Sequence, residues 1–145
     1  MSSFNKHFGK HTKKGDGGDE RFGNKRMTCD LGHSHRSKLE GAVCAILQWR
    51  EKAGELTIVQ AEDHIYLSRA RIHYIADFKC LDSKTQEFFW VEAKGFANDK
   101  WPIKLKLYRV YGPGRLEIWK GSHTRPVLDE VVTPAPDLFP EKGEK

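Results

Sequence analysis

Residues 74–95 read YIADFKCLDSKTQEFFWVEAKG, two apolar and aromatic runs separated by a short polar one. Tyr74 to Leu81 and Phe88 to Ala93 have strand composition, and Asp82-Ser83-Lys84-Thr85-Gln86 has the Asp-led polarity of a turn. A hairpin centred between Lys84 and Thr85 sets Asp77 directly opposite Glu92. Glu92 and Lys94 are two residues apart, so both project from one face of their strand, and the same register brings Asp77 to that face. Two carboxylates and an ammonium then converge at the end of a very hydrophobic ribbon, where an isolated charge is costly. A divalent cation is the obvious compensation.

Upstream, Ser37 opens a helix that runs to about Ala53 and is stopped by Gly54. At ~100° per residue, Leu39, Val43, Ile46 and Leu47 form one stripe, and Glu40 falls within about 20° of Leu47. A surface helix does not ordinarily place a carboxylate there. Glu40 either joins the site or closes a capping box, Ser37-x-x-Glu40, by reaching back to the N-cap amide; the two roles are partly compatible. ELTIVQA at 55–61 and HIYL at 64–67 read as separate short strands, with Ser68-Arg69-Ala70-Arg71 a basic connection into the hairpin.

Downstream, Asn98 or Asp99 is placed to cap a helix from about Lys100 to Val110, with Pro102 tolerated in its first turn. Its Lys100, Lys104, Lys106 and Arg109 are either a nucleic-acid surface or a solvated face. RLEIWK at 115–120 alternates as a final strand. The expected architecture is α/β: a mixed β-sheet built around the central hairpin and flanked by the two helices.

The 145-residue chain is long enough for one domain with a real core. Its formal charge of +5 favours a polyanionic partner. Residues 1–26 carry seven Lys/Arg against three Asp/Glu and almost no periodic apolar residues, the composition of a flexible arm that tracks phosphates or merely solubilises. The domain is expected over 27–125. Residues 126–145 hold four of the six prolines and read as an extended, irregular acidic tail. His7 and His11 sit in glycine-rich sequence that disfavours a helical metal pair. Cys29, His33 and His35 have the donor types of a zinc site, but no C-x-x-C accompanies them and no fourth ligand is evident. The two histidines are therefore expected in a polar loop near the site, and the three cysteines as free thiols of a reducing cytoplasm. No apolar run approaches a membrane span.

Acid-x-Lys occurs three times, but only Glu92-Ala93-Lys94 closes a strand, ends at a glycine and faces an aspartate across a hairpin. The order helix-Glu, strand-Asp, strand-Glu-x-Lys resembles the PD-(D/E)xK nuclease superfamily. Ser37-Lys38-Leu39-Glu40, Ala53-Gly54-Glu55-Leu56, Gln60, Tyr74-Ile75-Ala76-Asp77-Phe78 and Val91-Glu92-Ala93-Lys94-Gly95 are similar to a phage-encoded branch related to endonuclease I-type Holliday junction resolvases. The resemblance covers about residues 36–121. Ala76 stands where the superfamily motif has proline, a position that shapes the strand and ligates nothing.

The resemblance implies a restriction-endonuclease-like core and an endodeoxyribonuclease in the cytoplasm of a bacterial host. Its substrate would be branched or structured DNA, and a homodimer would let two strands be cut together. Asp77 and Glu92 would hold Mg²⁺ or Mn²⁺ with the Ala93 carbonyl, and Glu40 would complete the shell directly or through water. Lys94 would orient the attacking water. Gln60, Lys100 and Lys104 would contact substrate. Two other readings are a DNA-binding module that keeps the fold without turnover and an α/β protein whose Asp77–Lys94 pair is structural. Intact Asp77, Glu92 and Lys94 argue against the first; the basic balance and the aligned Glu40 argue against the second.

Overall fold

The computed structural model describes residues 27–29, 32–96 and 98–135. The basic arm at 1–26, with His7 and His11, lies outside the described residues, as does the tail from 136 onward.

A two-stranded ribbon comes first, β1 (Met27–Thr28) with β2 (Ser34–His35), followed by α1 (Lys38–Lys52). A five-stranded sheet is then built from β3 (Leu56–Leu67), β4 (Ile72–Asp82), β5 (Phe88–Ala93), β6 (Leu116–Ser122) and β7 (Arg125–Val132). The strands lie in sequence order. All neighbours are antiparallel except β5 and β6, which are parallel. Parallel neighbours need a crossover, and α2 (Trp101–Tyr111) supplies it. The expected mixed α/β sheet with two helices is what the chain forms.

The β4–β5 hairpin has the expected register: Phe78 pairs with Val91, Lys79 with Trp90, Cys80 with Phe89 and Leu81 with Phe88. Its turn is fixed locally, because Asp82 Oδ1 accepts the amides of Lys84 and Thr85. Side-chain alternation along β5 then divides two cores. Phe89 and Val91 pack with Phe78, Cys80 and the α1 residues Leu39, Val43, Cys44 and Leu47. Trp90 packs with Leu116, Ile118 and the α2 residues Trp101 and Tyr108. Leu47 and Phe78 are fully buried, and truncating either to alanine should cost about 2–5 kcal/mol.

One irregularity positions the site. Ala76 and Phe78 have the same parity on β4, yet Ala76 belongs to the α2 core and Phe78 to the α1 core. Between the β3–β4 pairs Ala61–Phe78 and Asp63–Ala76, the Glu62–Asp77 rung is missing, and Glu62 takes φ +54°. The ribbon changes face at Asp77, so this side chain sits at the seam between the cores.

Both helix ends follow the sequence. Ser37 Oγ accepts the Glu40 amide at the N-terminus of α1. Gly54 turns the chain out with φ +79°, a conformation that an L side chain strains. In α2 the capping carbonyl is that of the Asn98 side chain, which accepts the Lys100 and Trp101 amides. Arg50 of α1 forms a two-bond pair with the buried Glu117 of β6, at 2.9 and 3.3 Å, and this ties the helix to the sheet.

Two expectations are corrected. The segments 55–61 and 64–67 are one 12-residue strand. Its charged residues are partnered, Glu62 with Arg36 at 3.0 Å and Asp63 with the Trp90 indole at 2.7 Å. The tail expected to be irregular from 126 begins as β7, which pairs with β6 from Ser122–Arg125 to Leu116–Val132. Only one of the tail prolines, Pro126, falls inside this strand, and an edge strand tolerates it. Among the described residues no helix is long and apolar enough to cross a membrane.

Candidate active site

A cavity of about 610 Å³ opens where the N-terminus of α1, the β4–β5 seam and the N-terminus of α2 meet. Glu40, Asp77, Glu92, Ala93, Lys94, Lys100 and Lys104 all line it. The structure thus brings together seven of the eight residues singled out from the sequence. Gln60 is the exception. A bulge between Ile58 and Gln60 shifts the register, so Gln60 pairs with Lys79, is exposed and takes no part in the cavity wall. Lys106 is also exposed, and Arg109 is bound to Glu130 of β7.

Each acidic group is held by a different element. Asp77 ends the β4–β5 ladder: its Oδ2 accepts the Ala93 amide at 2.7 Å, which fixes the carboxylate against the adjoining strand. Glu92 is buried at 6% exposure, with Oε2 accepting the Tyr74 hydroxyl at 2.7 Å. Its Oε1 lies 3.7 Å from Lys94 Nζ, and that ammonium sits 4.7 Å from the Trp101 ring centre. Glu40 is buried at 5% exposure. It does not reach the N-cap amide as a capping box requires; Oε2 accepts the Arg36 amide at 3.1 Å, and Oε1 lies 3.2 Å from His35 Nδ1. The first half of the capping box is present and the second is displaced by one residue.

Burial and mutual repulsion decide the electrostatics. Burial, then the charge of Glu40, pushes Asp77 up to about 7 against the pull of the Ala93 amide and Lys94. Glu92 is pushed up to about 8 by burial and then by Asp77. Burial also raises Glu40. Tyr74 is driven well above the ordinary phenol range by burial and by Glu92, so it stays a donor. Three carboxyl groups that resist ionisation together are what a bound cation relieves. The donors are hard oxygens, which suit Mg²⁺ or Mn²⁺ and not a soft metal. The residues present therefore fit the ion expected here.

Tyr74, Trp101 and Arg36 were not singled out from the sequence, although all three line the cavity. Tyr74 opens the central stretch and carries the one signal available, a polar-tipped aromatic on the run that ends in Asp77. Neither His33 nor His35 lines this cavity, although both lie beside it: His33 is in the turn between β1 and β2, and His35 on β2 is 1% exposed, with Nδ1 3.2 Å from Glu40 Oε1. Comparison with protein-family models, with curated proteins and with solved structures finds no match for the chain.

Proposed function

We propose that this protein is a divalent-metal-dependent endonuclease of PD-(D/E)xK type, with a restriction-endonuclease-like core, that hydrolyses phosphodiester bonds of branched DNA. The observation that carries the reading is the convergence of Glu40, Asp77, Glu92 and Lys94 from three elements on one cavity. That cavity is also lined by Arg36, Lys38, Lys100 and Lys104, a surplus of cations suited to phosphates. Asp77 and Glu92, with the Ala93 carbonyl, would hold the cation, and Glu40 would support it from α1. When bound, Mg²⁺ or Mn²⁺ supplies Lewis acidity and activates a water nucleophile near neutral pH. Lys94 orients that water and offsets charge that grows on the phosphate. Lys100 and Lys104 hold the flanking phosphates in register. Trp101 keeps the Lys94 ammonium aligned through its ring face.

The test is a panel of labelled four-way, flap, nicked and linear DNAs incubated with Mg²⁺ or Mn²⁺, with the oligomeric state measured alongside. The wild-type protein should cut the four-way junction best. Asp77→Asn should abolish cutting while DNA binding survives or tightens, because negative charge is removed. Cleavage that persists undiminished in excess EDTA would overturn the mechanism.

A further inference from the structure

A second cluster of metal-ligating side chains lies outside the acidic cavity. The β1–β2 ribbon pairs Met27 with His35 and Thr28 with Ser34. The Cys29 amide donates to the His33 carbonyl at 2.9 Å, and Gly32 takes the tight turn with φ +80°. Cys29 thus sits opposite His33, and His33 and His35, two apart, share its face. That face lies on α1, where the missing fourth donor waits: Cys44, one turn after Glu40 and fully buried. Ligand atoms of Cys29, His33, His35 and Cys44 all lie within 4.8 Å of one another. His33 Nδ1 and Cys44 Sγ are 3.8 Å apart, close to the ~3.3–3.8 Å edges of a zinc tetrahedron.

Two independent features point to an occupant. His35 Nε2 is buried and has no hydrogen-bond partner among the described residues. Its other nitrogen is held by Glu40, and an ionised carboxylate only accepts, so Nδ1 carries the proton and Nε2 presents a lone pair. This is the carboxylate–histidine pairing that orients zinc ligands. In addition, the Gln48 amide reaches both sulfurs, Cys44 Sγ at 3.3 Å and Cys29 Sγ at 3.9 Å, as a donor to thiolates does. We infer that Cys29, His33, His35 and Cys44 bind one zinc ion, in a closed structural site that fastens the β1–β2 ribbon to α1. A ribbon of two rungs has little stability by itself, and the ion supplies what its ladder lacks.

The inference does not depend on nuclease activity, and its test reads metal alone. Full-length protein from zinc-supplemented culture is analysed for metal after gel filtration. Metal-free protein is then titrated with Co²⁺. One zinc per chain is expected, together with the intense bands of tetrahedral Co²⁺ and a thiolate charge-transfer band. Cys29→Ala, which alters a half-buried position, should weaken Co²⁺ binding by more than about tenfold. Cys80→Ala changes a buried thiol outside the cluster and should leave stoichiometry and spectrum intact. Protein isolated without zinc that gives a thiolate-free Co²⁺ spectrum would overturn the site. So would a Cys29–Cys44 disulfide in the isolated protein. The wild-type spectrum decides the matter even where a variant fails to fold.

Discussion

Two clusters of ligating side chains share the first turns of α1 and differ in every property that selects an ion. Around the cavity the donors are carboxylate oxygens, the walls carry lysines, and the space is open enough for a substrate. Between the ribbon and α1 the donors are two sulfurs and two imidazole nitrogens within a few ångströms, and two of the four residues are buried almost completely. Hard donors with room for water suit a catalytic Mg²⁺ or Mn²⁺, whereas a closed soft set suits a structural Zn²⁺. Glu40 belongs to both: it lines the cavity and contacts His35. On the proposed reading, one fold would separate two metals by chemistry, while a single carboxylate, Glu40, touches both sites.

Next in size after the loss of cutting expected for Asp77→Asn is an effect that breaks the comparison on one side only. On the proposed mechanism, Lys94→Ala removes an ammonium that would act chiefly on the transition state, so kcat should fall by about 10²–10³, with DNA affinity little changed. Zinc content should stay at the wild-type value, since the Lys94 ammonium pairs with Glu92 and lies over the Trp101 ring, neither of them in the Cys/His cluster. Single-turnover cleavage, DNA titration and metal analysis on one preparation check this. A change found mainly in Kd would make Lys94 a phosphate anchor instead.

Glu40→Gln should be felt on both sides. Glutamine offers one accepting oxygen where the glutamate uses two, for the Arg36 amide and for His35. If the oxygen stays on Arg36, the new NH₂ confronts Nδ1 and drives the imidazole to the tautomer whose Nε2 is protonated and cannot ligate. Zinc affinity should weaken by about 10–100-fold, the range for loss of such an outer partner. Cleavage should fall too and be partly recovered at high Mn²⁺. A competition titration against a zinc chelator, with cleavage measured in parallel, checks both arms. Unchanged values for both would leave Glu40 with only a helix-end role.

The acidic site was legible because its geometry is local. The Asp82 turn fixes the hairpin register, the register sets Asp77 toward Glu92, and period-two spacing carries Lys94 with it. Glu40 was legible from helical period alone. Cys44 was not, because on an amphipathic helix a cysteine at a core position is indistinguishable from any small apolar residue. Only the ribbon, folded back over α1, turns it into a donor. Gln60 went astray because nothing in the side chains around Val59 announces a bulge. The strand at 125–132 was hidden by proline counting: the prolines lie mostly beyond it, and RPVLDEVV by itself has strand character.

The smallest expected effect sharpens the contrast in the absence of substrate. Asp77 and Glu92 stand at about 7 and about 8 in the folded protein, against ordinary values of 3.8 and 4.5. Raised acids mean that the folded state holds more protons than the unfolded chain between roughly pH 4 and 8. Stability is therefore greatest below the unfolded values and is lost as pH rises through the folded ones, by at most about 1.4 kcal/mol per pH unit for each group. Relative to Asp77→Asn, zinc-replete wild type without Mg²⁺ should lose melting temperature progressively from about pH 5 to 8, inside that window. Added Mn²⁺ should restore the melting temperature at the alkaline end and do little at the acid end, where protons already neutralise the pair. Asp77→Asn removes one titrating group and relieves Glu92, so its melting temperature should fall less, or rise more, with pH than that of the wild type. The soft site adds a slope of opposite sign, because thiolates held by zinc in the folded protein take up protons on unfolding below about pH 8.5, so the difference between wild type and Asp77→Asn isolates the share of the carboxylates. Melting curves with and without Mn²⁺, on wild type and Asp77→Asn, provide the check. A variant with the wild-type slope would mean that the burial of these carboxylates is offset by something other than a cation.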